Sequence, residues 1–193
     1  MRIDHVIYAT ADLDAAAARV EAELGVVAVA GGRHEGLGTH NRIVSSAAAT
    51  SSSSQWPIPR RPRAPSWGAV HARIAAEGEG LLGWAVAVDD VRPVAARLGT
   101  PITTIKREGM SARLTGLADA LHEPFLPFFI GRAPRVAEPG ASGEAGGITW
   151  IELAGDRARL ARWLGGAELP VRVVNGAPDV RAIGVGDREF RTG

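Results

Sequence analysis

Along the first nine residues the side chains alternate, with Ile3, His5, Ile7 and Ala9 on one side and Arg2, Asp4, Val6 and Tyr8 on the other, which is the period of a strand. Asp12 follows in capping position, and Leu13, Ala17, Val20 and Leu24 then share one face of a helix that Gly25 ends. The same signals return twice. Leu82 to Val88 is a second strand, Asp89 and Asp90 precede a helix with Val91, Val94, Ala95 and Leu98 on one face, and Gly99 stops it. Ile148 to Leu153 leads through Asp156 to Leu160, Trp163 and Leu164, and stops at Gly165 and Gly166. Three openings of this kind predict duplicated supersecondary units.

Short strands are predicted after each helix: Val26 to Ala30 and His40 to Val44, then Ile102 to Lys106, Ser111 to Leu117 and Phe125 to Ile130, then Val171 to Val174 and Val180 to Val185. A helix followed by consecutive strands at hairpin spacing predicts an α+β fold with a largely antiparallel sheet, not a doubly wound parallel one. Residues 1–66 and 67–132 read as two paired modules, the Pro/Gly/Ala-rich residues 133–147 as a linker, and residues 148–193 as a partial third βαββ unit packed on the same domain.

Composition narrows the function classes. The 22 basic and 21 acidic residues leave a formal net charge of +1, so no general attraction to nucleic acid or to anionic lipid is expected. Cysteine is absent, which rules out disulfides, thiolate metal sites and thiol nucleophiles, so any metal must use histidine, carboxylate or backbone oxygen. The N-terminus has no signal-peptide pattern and no apolar run reaches the ~20 residues that span a bilayer. The expectation is a soluble, cytoplasmic protein with a small-molecule ligand, without nucleic-acid or membrane partners, and with homodimer formation left open.

The opening Ile3-Asp4-His5-Val6-Ile7-Tyr8 with Asp12-Leu13-Asp14-Ala15-Ala16 carries one part of a family pattern. Gly31-Gly-Arg-His34 with Gly38-Thr-His-Asn-Arg-Ile-Val44, Leu81 to Val88 with its helix, and Pro124-Phe-Leu-Pro-Phe-Phe-Ile130 carry the rest. Together they resemble the bacterial glyoxalase-like domain proteins of the vicinal oxygen chelate superfamily over nearly the whole chain. The resemblance implies repeated βαβββ modules whose curved, largely antiparallel sheets surround a cup-shaped pocket. It also implies a divalent ion held by histidine and glutamate, with Lewis-acid lyase, isomerase or dioxygenase chemistry on a substrate carbonyl or enediolate. Other members are metal-free, so a binding or sequestration protein without catalysis is the alternative.

His5 matches the first-strand histidine that binds metal in catalytic relatives, yet a histidine between Ile3 and Ile7 also reads as a packed, hydrogen-bonded side chain. The ligand set for a divalent ion looks incomplete. Trp84 stands where relatives place a second ligand, and Gly131 stands where a carboxylate often follows Phe-Phe-Ile. Trp84, Phe125, Phe128 and Phe129 are candidates to line an apolar pocket, although aromatic strand residues more often form core. His40 and Asn41 are candidate polar ligand contacts; a regular strand would send them to opposite faces, which favours His40. Arg107 is a candidate clamp for a ligand carboxylate, with an exposed strand-end arginine as the bland reading. Asp89 and Asp90 read as caps before they read as an acid/base pair.

One stretch breaks the pattern. Ser46-Ala-Ala-Ala-Thr-Ser-Ser-Ser-Ser54 and Gln55-Trp-Pro-Ile-Pro-Arg-Arg-Pro-Arg-Ala-Pro65 predict an irregular or displaced segment rather than a central strand, and a Pro/Arg tract also suits a groove on another protein. Read one nucleotide earlier in GC-rich codons, Ser46 to Ser53 becomes Leu-Gly-Gly-Gly-Tyr-Leu-Glu-Leu, and the following codons a Val-Ala-Val-Ala-Asp run. That is a family-like fourth strand with glutamate in place of Ser52, as a compensated pair of frameshifts would produce.

Overall fold

A computed structural model of the chain describes residues 1–34, 39–44, 48–53, 79–107, 110–132 and 147–191, with side chains described outside 29–53, 106, 107 and 110. Eight strands form the larger sheet: β1 (Arg2–Ala9), β2 (Ala28–His34), β3 (Thr39–Val44), β4 (Ala48–Ser53), β5 (Gly80–Ala87), β6 (Ile102–Arg107), β7 (Met110–Thr115) and β8 (Phe128–Arg132). Their order is β2-β3-β4-β1-β5-β8-β7-β6, so the same arrangement appears twice, back to back about the antiparallel β1–β5 pair. In each half the first and last strands run parallel, β1 with β4 and β5 with β8, and the remaining pairs are antiparallel. The duplication inferred from hydrophobic period is thus a duplication of topology.

The helix signals act as expected from their chemistry. Asp12 accepts backbone N–H groups of Asp14 and Ala15 at the start of α1 (Leu13–Leu24), Asp90 accepts that of Arg92 before α2 (Val91–Leu98), and Asp156 accepts those of Ala158 and Arg159 before α4 (Arg157–Leu164). Gly25, Gly99 and Gly165 end these helices with φ of 66°, 67° and 67°, a left-handed turn that glycine adopts without steric cost. A further short helix, α3 (Leu117–His122), follows β7, which stops at Thr115 before the expected strand end at Leu117; its cap is Gly116, also at positive φ.

A second sheet has the order β10-β9-β11-β12, from β9 (Ile148–Ala154), β10 (Val171–Val174), β11 (Asp179–Val185) and β12 (Arg188–Arg191). Its strand–helix opening repeats the earlier ones, but its topology departs from theirs. Here β10, the strand directly after the helix, lies parallel beside β9, whereas in the first two units that strand sits at the far edge. The unit therefore also has a last strand, β12, beyond the two foreseen.

Val6, Tyr8, Trp84, Val86 and Phe129 from the large sheet join Ile151, Leu153, Ile183 and Phe190 from the second sheet and Val20 and Leu24 from α1 in one buried cluster. Burying this much apolar surface is the main stabilising term of the fold. Arg19 of α1 fastens the periphery: it reaches Glu23 at 2.8 Å, Glu79 at 2.6 Å and the Arg191 carbonyl at 2.8 Å, and lies over the Phe190 ring. The molecule is an α+β fold with two curved, open sheets of mostly antiparallel strands.

One expectation is corrected. Ala48–Ser53 is not displaced: it is a strand in the interior of the sheet, with Ile7 opposite Ala49 and Tyr8 opposite Thr50 on one side, and His40 opposite Ser52 on the other. Backbone partners on both flanks outweigh the low strand propensity of alanine and serine, since an unpaired central slot would leave two rows of backbone groups unsatisfied. The prolines that argued against a strand, Pro57 to Pro65, lie outside the described residues.

Candidate functional site

His5 stands at one end of a row that crosses three strands. It is opposite Ala85 on β5, and Ala85 is opposite Phe128 on β8. Because the middle residue is only a methyl group, the two rings meet across it, with centroids 5.5 Å apart at 69°, the edge-on packing that aromatic quadrupoles favour. Phe128, Ile130, Ala112, Leu114 and Ala85 form a buried cluster on this face, with Ala120 of α3 joining it. It is the face turned away from the second sheet, and the His5 side chain keeps 19% exposure on it.

A register shift between Ile3 and His5 breaks strict alternation in β1. Asp4 and His5 consequently meet, with His5 Nδ1 at 2.5 Å from Asp4 Oδ1. Asp4 is 5% exposed, and a carboxylate that deep needs a cation. Arg132, two residues beyond Ile130 on β8, supplies it as a two-pronged pair: Nη2 donates to Asp4 Oδ1 at 2.7 Å and Nη1 makes a close contact with Oδ2. Burial works to raise the Asp4 carboxyl, but hydrogen bonds from Arg132 and His5 prevail and hold it well below the usual carboxylate range. Arg132 Nε is buried and makes no hydrogen bond among the described residues.

The other candidates fall in different places. Trp84 is fully buried, opposite Val6 in the core between the sheets, and its Nε1 donates to the Phe125 carbonyl at 3.2 Å. Phe125 and Phe129 are buried in that same core, so the structure separates the aromatic set: Phe128 alone of these four joins His5. Phe125 belongs to a turn before β8, which begins at Phe128. His40 and Asn41 lie on β3, opposite Ser52 and Ser51 of β4, and Arg107 ends β6 opposite Met110; their side chains lie outside the described ones. Asp90 caps α2, as its position implied.

Asp4 and Arg132 were not foreseen. The bulge that turns Asp4 towards His5 leaves no mark on the period of β1, and 22 basic residues give no means of choosing a partner for one carboxylate. Arg132 was in principle legible, because Phe128, Ile130 and Arg132 are spaced two apart.

The described residues do not fit the divalent centre that the family pattern implies. Among them no three histidine, aspartate or glutamate side chains gather in one place. His5 is a single imidazole donor, and both oxygens of its carboxylate neighbour are already engaged by Arg132.

Similarity to known proteins agrees with this architecture. The model of the glyoxalase-like domain family matches residues 3–169. A hypothetical protein from Staphylococcus aureus has a similar fold, with a TM-score of 0.64 at 12% identity over 94% of this chain and 89% of that one. Methylmalonyl-CoA epimerase from Mycobacterium tuberculosis aligns with a TM-score of 0.47 at 19% identity, over 70% of this chain and 89% of its own. A variant of the Streptomyces coelicolor epimerase in complex with 2-nitronate-propionyl-CoA aligns with a TM-score of 0.45 at 22% identity, over 72% and 97%. No curated protein sequence matches. By the match over residues 3–169 and by its doubled sheet topology, the chain belongs to the glyoxalase-like domain family of vicinal oxygen chelate proteins.

Proposed function

We propose that the protein binds a small, partly apolar molecule on the face of the large sheet that carries His5, with His5 as a polar contact and Phe128 as an apolar one. The observation that supports this is the row His5–Ala85–Phe128: a partly exposed imidazole beside an aromatic ring, over a residue too small to fill the space above it. Within this reading one of His40 and Asn41, which alternate along β3, and Arg107 are further polar contacts, while Trp84 and Phe125 support the face from the core behind it. The favoured form of the function is metal-free binding, because the described donor set is one imidazole.

Metal-dependent lyase, isomerase or dioxygenase chemistry is the second reading. A single feature favours it: the His5 Nδ1 contact with a carboxylate, the arrangement that orients metal-bound imidazoles. Two measurements test these readings. Thermal shift against a panel of hydroxyl- and carbonyl-bearing small molecules should give hits that His5→Ala abolishes; hits unaffected by that change would overturn the placement of the site. Elemental analysis of protein purified without chelator should find substoichiometric divalent metal, and one bound ion per chain lost in His5→Ala would instead establish the metal-dependent reading.

A further inference from the structure

The chemistry of the site at His5 depends on which ring nitrogen carries the proton, and the surrounding atoms decide that. We propose that Asp4 and Arg132 are positioning residues that fix His5 as the Nδ1–H tautomer, so that Nε2 presents a lone pair to the open face of the sheet. The inference deepens the binding reading above, since it specifies what His5 offers a ligand: an acceptor for a hydroxyl, enol or N–H group.

The argument is one of donor and acceptor accounting. Arg132 donates through Nη1 and Nη2 and can accept from nothing, so both Asp4 oxygens facing it must be acceptors. Asp4 Oδ1 receives Arg132 Nη2 at 2.7 Å and meets His5 Nδ1 at 2.5 Å, and a carboxylate ionised against a two-pronged guanidinium has no proton to give the ring. The hydrogen between them therefore belongs to Nδ1. The neutral ring holds one N–H, which leaves Nε2 bare. The lock is geometric as well as electrostatic, because the two-pronged pair fixes the carboxylate plane, the bulge in β1 fixes its distance from the ring, and the edge of Phe128 limits ring rotation. Arg132 spends Nη1 and Nη2 on Asp4 and its Nε is buried, so its role is to hold Asp4 rather than to grip a ligand.

Asp4→Ala gives a distinctive outcome, because it removes the acceptor that His5 Nδ1 faces. Nothing then holds the proton on Nδ1, and the neutral ring reverts to the Nε2–H form that a free imidazole side chain favours. The experiment is a long-range 1H–15N correlation spectrum of the 15N-labelled full chain in mildly alkaline buffer, with His5 assigned by its disappearance in His5→Gln. The expected wild-type pattern is protonated Nδ1 and bare Nε2, and the expected Asp4→Ala pattern is the reverse. A wild-type ring protonated at Nε2 overturns the proposal, as does an Asp4→Ala spectrum identical to wild type. If Asp4→Ala does not fold, the wild-type spectrum alone decides. No ligand is present in the measurement, so its failure is distinguishable from a failure to find a binder.

Discussion

Asp4 and Arg132 make the candidate site costly to disturb in a way that pH should reveal. The native carboxyl of Asp4 lies well below the usual range, so the folded chain binds fewer protons there than the unfolded one. The stability it contributes is complete above the unfolded value of about 3.9 and declines as pH falls below that towards the native value. Urea unfolding at a series of pH values should show this acid-side decline, reduced in Asp4→Asn. Arg132→Met leaves a carboxylate with 3% side-chain exposure without its cation and should cost about 3–5 kcal/mol, whereas the double change Asp4→Leu with Arg132→Met should recover part of that loss. Trp84→Ala should likewise cost about 3–5 kcal/mol through its core cavity while leaving any His5-dependent ligand binding in place, which separates a core role from a pocket role.

At the scale of elements, the cap aspartates are independent of one another, and Asp12→Ala, Asp90→Ala and Asp156→Ala should each lower stability by about 1 kcal/mol by chemical denaturation. The strand β4 presents the sharper question. It holds the place in the first half that β8 holds in the second, yet β8 brings the buried Phe128, Phe129 and Ile130 whereas β4 is written Ala-Ala-Thr-Ser-Ser-Ser. Replacing Ser46 to Ser53 by the frame-shifted Leu-Gly-Gly-Gly-Tyr-Leu-Glu-Leu, with Val-Ala-Val-Ala-Asp following, should raise the melting temperature. An unchanged or lower one would remove the frameshift account and leave the serine tract as the native strand. Besides β4, the elements that the hydrophobic period did not reveal are short: α3 spans six residues and β12 four, and neither carries a run of apolar residues like the Val171 to Val174 that announced β10.

At the scale of the whole molecule, the buried cluster draws on both sheets and on α1, and Trp163 of α4 donates to the Pro127 carbonyl at 2.8 Å just ahead of β8. The two sheets should therefore unfold in one transition when followed by near-UV and far-UV circular dichroism, and a chain ending at residue 147 should fail to reach a folded state because it exposes Val6, Trp84 and Phe129. The sequence by itself determined the units that depend on neighbours along the chain. Alternation in β1 from His5 to Ala9, the aspartate caps, the Leu-Gly helix ends and the presence of His5 on one strand face follow from periods of two and 3.6 residues and from local capping chemistry, whereas Ile3, beyond the bulge, packs with Val6 and Tyr8. Tertiary structure decided what depends on residues far apart. It paired the alanine- and serine-rich β4 with β1 despite its low propensity, placed β10 beside β9, put Trp84 behind the sheet and Phe128 in front, and brought Arg132 to Asp4 across 128 positions of chain. Register and bulges make those choices: shifting a strand by a single residue exchanges its faces, and no local preference of the side chains records where the shift occurs.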